Sequence, residues 1–388
     1  MLSLNSRLIK YLKLNFTQVL NLFMIIEEGR TKLEIPEDYL RKINFFNPEM
    51  ELARDITVLL LNALKTKDWL VCDALAGTGA RGIRIANECK VKEVWINDAN
   101  PKVLKFARKN VEINNLKNVT ITNKDANVLL AENKKTFDYI DLDPFGSPSY
   151  YFNSTAIAIK KGGLIGLTAT DTACLAGTYP FVCLRRYGVK SYKTDFMHEL
   201  GIRILITSIA LALSRWTLTF KPLISYAMHH YYRVWGIVER GRKKANESVR
   251  KNLGYINYCP SCLWRNIDKK PKETCEFCNK RLVNIGFVWI GKIEDRETIL
   301  SCLRKLKRVD WLKKRVEIEK LFHFLKNEGE AQLYYDIHKL CKKHKKPLKK
   351  FVEIVKSLRS NGFLAFRTHF CKLGIKTNAS LEELMSCI

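Results

Sequence analysis

The sequence predicts an α/β protein: a mostly parallel, doubly wound sheet with helices on both faces, followed by a smaller α+β C-terminal domain. Three observations carry this. Short apolar runs alternate with helical patterns through residues 47–169. A glycine-bearing loop, residues 74–82, follows the first apolar run. An acidic residue closes four of the runs: Asp73, Asp98, Asp125 and Asp143.

The elements follow in order. Residues 47–65 read as a helix opened by Asn47-Pro48. Residues 69–73 are a short buried strand, and 83–89 begin the helix after the glycine loop. Residues 94–97 form a second strand, and 101–114 a helix with Pro101 in its first turn. Residues 119–122, 137–143 and 164–169 are the third, fourth and fifth strands, the last introduced by Gly162-Gly163. The long apolar stretch 195–216 contains Arg203, which marks a soluble core helix rather than a membrane span. Residues 223–238 alternate and are rich in aromatics, as closing strands would be.

The basic segment 240–250 reads as a linker, and the domain boundary is placed there. This divides the chain into an extension (1–26), a cofactor-binding domain (27–242) and a C-terminal domain (243–388). Residues 259–278 form a small cysteine module, 283–290 a strand, and helices follow from Arg296. A Lys-rich stretch at 339–350 and the segment 363–370 close the chain. The apolar run 16–26 is interrupted by Thr17, Gln18 and Asn21 and is too short to span a membrane. It reads as a dispensable amphipathic extension, with Met24 as a candidate start.

Composition narrows the function. A chain of 388 residues with 47% hydrophobic content has length for a sizeable core. The net charge of +28 favours a polyanionic partner, because Lys and Arg neutralise phosphates and release counterions. A Lys-rich solvated surface is the bland alternative, but Arg and aromatic residues accompany the lysines. The twelve cysteines lack a secretory framework, so the expected compartment is reducing and cytoplasmic. Nothing requires a membrane or an obligate protein partner, and a monomer is expected.

Four cysteines are clustered. Cys259 and Cys262, then twelve residues, then Cys275 and Cys278 give two C-x2-C knuckles, which supply four thiolates to a structural, tetrahedral Zn2+. An intracellular disulfide pair, possible in a hyperthermophile, is the alternative.

The stretch Asp141-Leu142-Asp143-Pro144-Phe145-Gly146-Ser147-Pro148 ends the fourth strand. Asp-Pro and Gly-Ser are also ordinary turn chemistry. Yet a carboxylate, a proline carbonyl and an aromatic ring held together suit a flat exocyclic NH2 group: the two oxygens accept its N–H bonds and the ring stacks on its base. The loop resembles the Asp/Asn-Pro-Pro-aromatic loops of enzymes that methylate nucleobase amines. In the glycine loop, Gly77, Thr78 and Gly79 let the backbone approach a ligand. Asp98 lies where an acid meets ribose hydroxyls, and Asp125, with Ala126 beside it, where one meets an adenine amine. Asp73 before the loop completes an order of acids similar to that of class I methyltransferases dependent on S-adenosyl-L-methionine. A dinucleotide site would not place an amine-accepting loop at the fourth strand.

From about residue 27 the chain resembles the tRNA (guanine(26)-N2)-dimethyltransferase family. The supporting stretches include 46–50, Arg54-Asp55, 76–84, 97–101, 141–148, 168–173, 185–188, 198–201 and 367–370. The loop carries Ala76 where many members have Ser, and Ala53 stands where Asn is expected; neither removes an essential group. The resemblance implies a class I methyltransferase fold with a mostly parallel seven-stranded sheet. It implies Arg54, Arg81, Asp98, Asp125 and Ala126 as cofactor contacts, with Arg54 pairing the carboxylate of the methionine part. It implies tRNA as partner, and transfer of methyl groups to guanine N2 with Asp143, Pro144 and Phe145 at the target base. Asp143 takes the proton, Phe145 stacks on the flipped base, and Gly146 leaves room for a first methyl. An amino-methyltransferase for another RNA or DNA base, and a non-catalytic zinc-ribbon RNA-binding protein, are the rivals. A DNA enzyme would more often carry a second Pro after Pro144.

Overall fold

Residues 23–36, 46–228 and 230–388 are described by the structure, a computed structural model. Its first elements are β1 (Phe23–Glu28) and β2 (Thr31–Pro36), an antiparallel hairpin. Residues 23–26 of the expected extension therefore belong to a strand. Residues 16–22 of the apolar run, and Met1, lie outside the described residues.

The central sheet is built from β3 (Leu70–Asp73), β4 (Glu93–Asn97), β5 (Val119–Thr122), β6 (Phe137–Leu142), β7 (Ile159–Ala169), β8 (Lys221–Met228) and β9 (Tyr231–Ile237). Their order is β5-β4-β3-β6-β7-β9-β8. The first five run parallel, and β9 and β8 close the sheet antiparallel. The chain starts in the middle at β3, works out to β5, then crosses back to β6. The carboxyl ends of β3 and β6 therefore sit side by side at a topological switch point, where open α/β sheets bind ligands. Asp73 and Asp141 are in register there.

The helices α1 (Glu51–Ala63), α2 (Ala80–Glu88), α3 (Pro101–Ile113), α4 (Ala126–Glu132) and α5 (Phe152–Ala158) alternate with these strands. Local chemistry sets their starts. The Asn100 side chain accepts a hydrogen bond from Lys102 N at 3.0 Å, with Pro101 at the first position of α3. After β7 come α6 (Thr172–Leu175), α7 (Pro180–Tyr187) and α8 (Met197–Ser214). By length and composition α8 could cross a membrane, but it is a core helix of this fold, and the fully buried Arg203 side chain donates to the carbonyls of Trp289 and Gly291 at 3.1 and 3.0 Å.

Residues 240–250 are not an extended linker. They form most of α9 (Arg242–Asn252), because Ala245 is buried and Val249, one turn on, packs against the core while the lysines and arginines face water. Beyond it, β10 (Leu253–Tyr258), β11 (Arg265–Asp268) and β12 (Val283–Trp289) make a three-stranded sheet. Next come α10 (Arg296–Leu306), α11 (Arg315–Glu328), β13 (Tyr335–Asp336) and α12 (Ile337–His344), followed by α13 (Phe351–Ser360), β14 (Ala365–Thr368), β15 (Cys371–Thr377) and α14 (Leu381–Cys387).

Each face of the large sheet is covered by one apolar cluster, and the C-terminal half enters both. On one face Ile56, Ile83 and Leu104 pack with Trp235 and with Ile299 and Phe322 of α10 and α11. On the other, Ile140 and Ile165 are continuous with Leu205, Ile256, Trp289 and Tyr334.

Candidate functional site

A cleft of about 580 Å³ opens at the carboxyl ends of β3, β4 and β6. Of the residues singled out from sequence, Arg54, Asp73, Gly77, Thr78, Arg81, Asp98, Asp143, Pro144 and Phe145 line it. Gly79, Asp125 and Ala126 do not. Phe46, Asn47, Leu75 and Thr170, which lie in stretches noted from sequence but were given no role at the site, line it too, as do Tyr151, His230 and Tyr231, which sequence reasoning did not single out.

The glycine loop is pinned by its neighbours. Gly77 N donates to Asp98 Oδ2 at 2.9 Å, and Asn100 N to Asp98 Oδ1 at 2.8 Å. Each Asp98 oxygen keeps a second lone pair for a ligand hydroxyl. Gly79 has φ +79°, and a Cβ there would stand 3.0 Å from the Ala107 Cβ, so only glycine lets the loop turn into α2 against α3. Asp125 caps α4 with one carboxylate oxygen, Oδ1, which accepts from Asn127 N and Val128 N at 2.8 and 3.2 Å.

Arg54 lines the cleft with its guanidinium already engaged. Glu28 of β1 takes Nε at 2.7 Å and Nη2 at 2.5 Å, and the Asn47 carbonyl accepts from both Nη atoms at 3.2 Å. Of five donors, one N–H is left for a ligand. Glu28 also faces the fully buried Arg84, which pairs with Asp55 at 2.5 Å and Glu88 at 2.9 Å. The wall of the cleft is therefore fastened to a buried ion network, and Trp311 Nε1 and Lys314 N donate to Glu88 and Asp55 from the C-terminal half.

At the floor, three acids meet two guanidinium groups. Asp141 is fully buried and accepts from the Tyr139 hydroxyl and from Arg233 Nη1 at 3.0 Å and Nη2, with Arg81 Nε 3.3 Å away. Burial pushes the Asp141 carboxyl up, but Arg233 and Arg81 outweigh it and hold it below its usual range. Arg81 reaches past Asp141 to donate from Nη2 to Asp143 Oδ2. Asp73 sits behind them and accepts from Gly82 N at 2.9 Å. Burial, reinforced by the Asp141 charge and opposed by Arg81, raises Asp73 to about 7.

Asp143, Pro144 and Phe145 turn out over the cleft mouth. Phe145 is 79% exposed, a large apolar side chain left to solvent. Gly146, at φ +98°, makes the turn, and its N–H donates to Thr170 Oγ1 at 2.6 Å while Thr170 N returns a bond to Gly146 O at 3.0 Å. Gly146 is not among the residues lining the cleft, but the space beside it is open: a Cβ there would meet nothing within 4 Å.

A second site lies in the C-terminal half. The Sγ atoms of Cys259, Cys262, Cys275 and Cys278 all fall within 4.8 Å of one another, with pairs at 3.5 Å. A tetrahedron of Zn–S bonds of about 2.3 Å has S···S edges of about 3.8 Å, so the donor set fits that ion. The 3.5 Å spacing is far beyond an S–S bond of about 2.05 Å, and all four thiols are free. Leu263 and Asn279, each just after the second cysteine of a knuckle, have φ of +66° and +55°, the same tight turn made twice.

His369 is spent on structure. Its Nδ1 lies 2.9 Å from Glu328 Oε1, and its Nε2 accepts from Ala227 N at 3.3 Å. In the Lys-rich segment, Lys346 and Lys349 donate to carbonyls at the end of α14, while Lys342, Lys343, Lys345 and Lys350 remain free to solvent.

Comparison with known proteins places this architecture. The family model described as "TRM: N2,N2-dimethylguanosine tRNA methyltransferase" matches residues 29–388. The tRNA (guanine(26)-N(2))-dimethyltransferase of Methanosphaera stadtmanae is 40% identical over 378 residues, covering 94% of this chain and 96% of that protein. The enzyme of the same name from Pyrococcus furiosus is 36% identical, covering 92% of this chain and 96% of its own length. A solved structure of Trm1 from Pyrococcus horikoshii in complex with S-adenosyl-L-methionine superposes with a TM-score of 0.86 at 33% identity, covering 94% of this chain and 99% of that one. With a family model spanning nearly the whole of it and relatives aligned end to end, the chain belongs to the N2,N2-dimethylguanosine tRNA methyltransferase family.

Proposed function

We infer that this protein transfers methyl groups from S-adenosyl-L-methionine to the exocyclic N2 of guanine 26 in tRNA, yielding N2-methyl- and N2,N2-dimethylguanosine. The observation that carries the reading is the Asp143-Pro144-Phe145 mouth over a cleft lined by Gly77, Thr78 and Asp98. The cofactor supplies an electrophilic methyl group on a sulfonium.

The guanine N2 is a weak nucleophile, because its lone pair is delocalised into the ring. The Asp143 carboxylate and the Pro144 carbonyl accept its two N–H bonds, which aims the lone pair into the cleft. The gain comes mainly from positioning and from a fixed anion beside the nitrogen as it becomes positive. Asp143 then takes the proton. Arg81 keeps the carboxylate pointed at the cleft mouth. The Phe145 ring stacks on the base once it leaves its helix, a contact of about 1–3 kcal/mol. Asp98 takes ribose hydroxyls, and the remaining Arg54 N–H reaches the carboxylate of the methionine part.

Asp125 and Ala126 contact the adenine from the start of α4, where Asp125 is also the cap. The zinc-bearing module and the exposed lysines beyond it contact the tRNA backbone, and a tRNA substrate sets the work in the cytoplasm. The test is labelled methyl transfer to unmodified tRNA followed by nucleoside analysis. N2-methyl- and N2,N2-dimethylguanosine are expected at guanine 26, and their absence rejects the reading.

A further inference from the structure

Among the described residues seven aromatic side chains are exposed, and four of them, Phe145, Tyr150, Tyr179 and Phe181, lie in the two loop regions that follow β6 and β7. Phe145 has a role at the target base. The others do not, and exposing large rings costs hydrophobic stabilisation that burial would have returned.

The second region is held as one body with the loop that carries Phe145. Gly146 is doubly bonded to Thr170, and the next residue, Asp171, grips α7 (Pro180–Tyr187). Its carboxylate accepts from Arg186 Nη1 at 2.8 Å and from the Tyr187 hydroxyl at 2.5 Å. The turn Pro148–Tyr151, which bears Tyr150, packs against the same helix. Thus α7 has its inner face fixed by Cys183 and Tyr187, both buried, and its outer face bare. The outer face carries Phe181, Leu184 and Arg185 at three- and four-residue spacing, which puts them on one stripe. Lys190 Nζ lies 4.6 Å from the Phe181 ring centre.

Bare rings flanked by cations, rigidly tied to a base-accepting loop, fit one occupant: unstacked nucleotides and their phosphates. We propose that the outer face of α7 is a platform for the tRNA nucleotides flanking the target guanine. Phe181 receives a base, Leu184 extends the apolar surface, and Arg185 and Lys190 neutralise adjoining phosphates. The platform keeps the flanking strand open while the target base sits against Phe145. This proposal rests on tRNA being the substrate.

The test compares Phe181→Ala, Phe181→Trp and Arg185→Ala with the wild-type chain, all full length. The readouts are dissociation constants for a tRNA transcript and for S-adenosyl-L-methionine, methylation kinetics, and sedimentation. Phe181→Ala weakens tRNA binding on the order of 10-fold and raises KM for tRNA, because a stack is lost. Phe181→Trp restores it, and Arg185→Ala lowers the salt dependence of binding by about one phosphate. Cofactor affinity stays unchanged in all three. Unchanged tRNA affinity in Phe181→Ala overturns the platform, as does a parallel loss of cofactor affinity, which would mark a structural role. Self-association of the wild-type chain that Phe181→Ala abolishes, with tRNA binding intact, assigns the face to a second copy and also overturns it. Failure of the wild-type chain to methylate tRNA would instead strike the proposed function.

Discussion

Arg81 holds Asp143 with its Nη2 while its Nε faces Asp141 Oδ1 at 3.3 Å. One guanidinium thus bridges an acid locked in the core and an acid at the mouth of the cleft. Asp141 is separately neutralised by Arg233. This leaves Arg81 able to orient Asp143, and it explains why two aspartates two residues apart have different tasks.

Asp143 should be separable from cofactor binding. Asp143→Asn keeps the shape but replaces one acceptor oxygen with an NH2 that cannot take a proton. Loss of the base and of its charge is expected to lower kcat about 10²–10⁴-fold. The cofactor dissociation constant, read by calorimetry, should move little. Near-normal single-turnover transfer in this variant would sink the assigned role.

Arg81 should matter for both stability and rate. Arg81→Leu leaves Asp141, Asp143 and Asp73 close together with one counter-charge fewer. Removing one member of a buried ion pair costs about 3–5 kcal/mol. Denaturant unfolding should show that loss, and it should shrink in Arg81→Leu/Asp143→Asn, where one of the stranded charges is gone. Strict additivity of the two changes would mean that the two side chains do not act together.

What could be read from sequence was what is local along the chain. The strand ends carrying Asp73, Asp98 and Asp143, the glycine loop, and the two cysteine knuckles are each set by a few adjacent residues. What could not be read depends on partners far apart. Glu28, which occupies Arg54, lies 26 residues upstream, and Arg233, which neutralises Asp141, lies 92 residues downstream. An arginine in the apolar strand Tyr231–Ile237 was the available signal, since a buried charge implies a buried partner. Asp125 shows a different ambiguity: an acid between a strand and a helix suits a ligand site and a helix cap equally, and the cap seen here uses one of its two oxygens. Segment 240–250 reads as a linker because its two apolar contacts, Ala245 and Val249, are outnumbered by charges.

Stability should fall as pH rises from about 4.5 to 7. Glu294 follows β12, with neither carboxylate oxygen hydrogen-bonded among the described residues. Lys376 of β15, Glu328 of α11, and Glu199 and Arg203 of α8 face it. Burial raises it from 4.5 to about 7, with Glu328 and Glu199 adding and Lys376 and Arg203 opposing. The folded state therefore keeps a proton that the unfolded chain releases. Stability is full below 4.5 and drops until pH 7, by roughly 3 kcal/mol for this group. Asp73 titrates over the same interval, so Glu294→Gln should about halve the slope rather than remove it. Glu328 behaves oppositely: burial alone would raise it, but His369 and Lys376 bring it down to about 2, so its contribution is lost only as pH falls below 4.5. A stability–pH profile of Glu294→Gln identical to that of the wild-type chain would contradict this reading of the interface.

Zinc should be structural and should act on tRNA binding at a distance from the cleft. Cys259, Cys262 and Cys275 are buried in the cluster that runs through β10 and α8. His344, the last residue of α12, lies with its Nε2 2.8 Å from the Cys262 carbonyl, and its ring packs edge-on against Phe277 between the second pair of cysteines. The knuckles thus hold one end of α12, whose outer face presents Lys342 and Lys343. Without the ion, four thiols gathered within 4.8 Å lose the charge that favours their deprotonated, bound form. Metal analysis should find about one zinc per chain, and a strong chelator should release it with a drop in thermal stability. The cofactor dissociation constant should hold, because the cleft is built from β3, β4 and β6. Affinity for tRNA should fall as α12 loosens, and Cys262→Ser should reproduce both effects. A purified chain with no zinc and two fewer titratable thiol pairs would mean that the knuckles are disulfide-bonded instead, and an unchanged tRNA affinity after chelation would separate the module from the RNA surface.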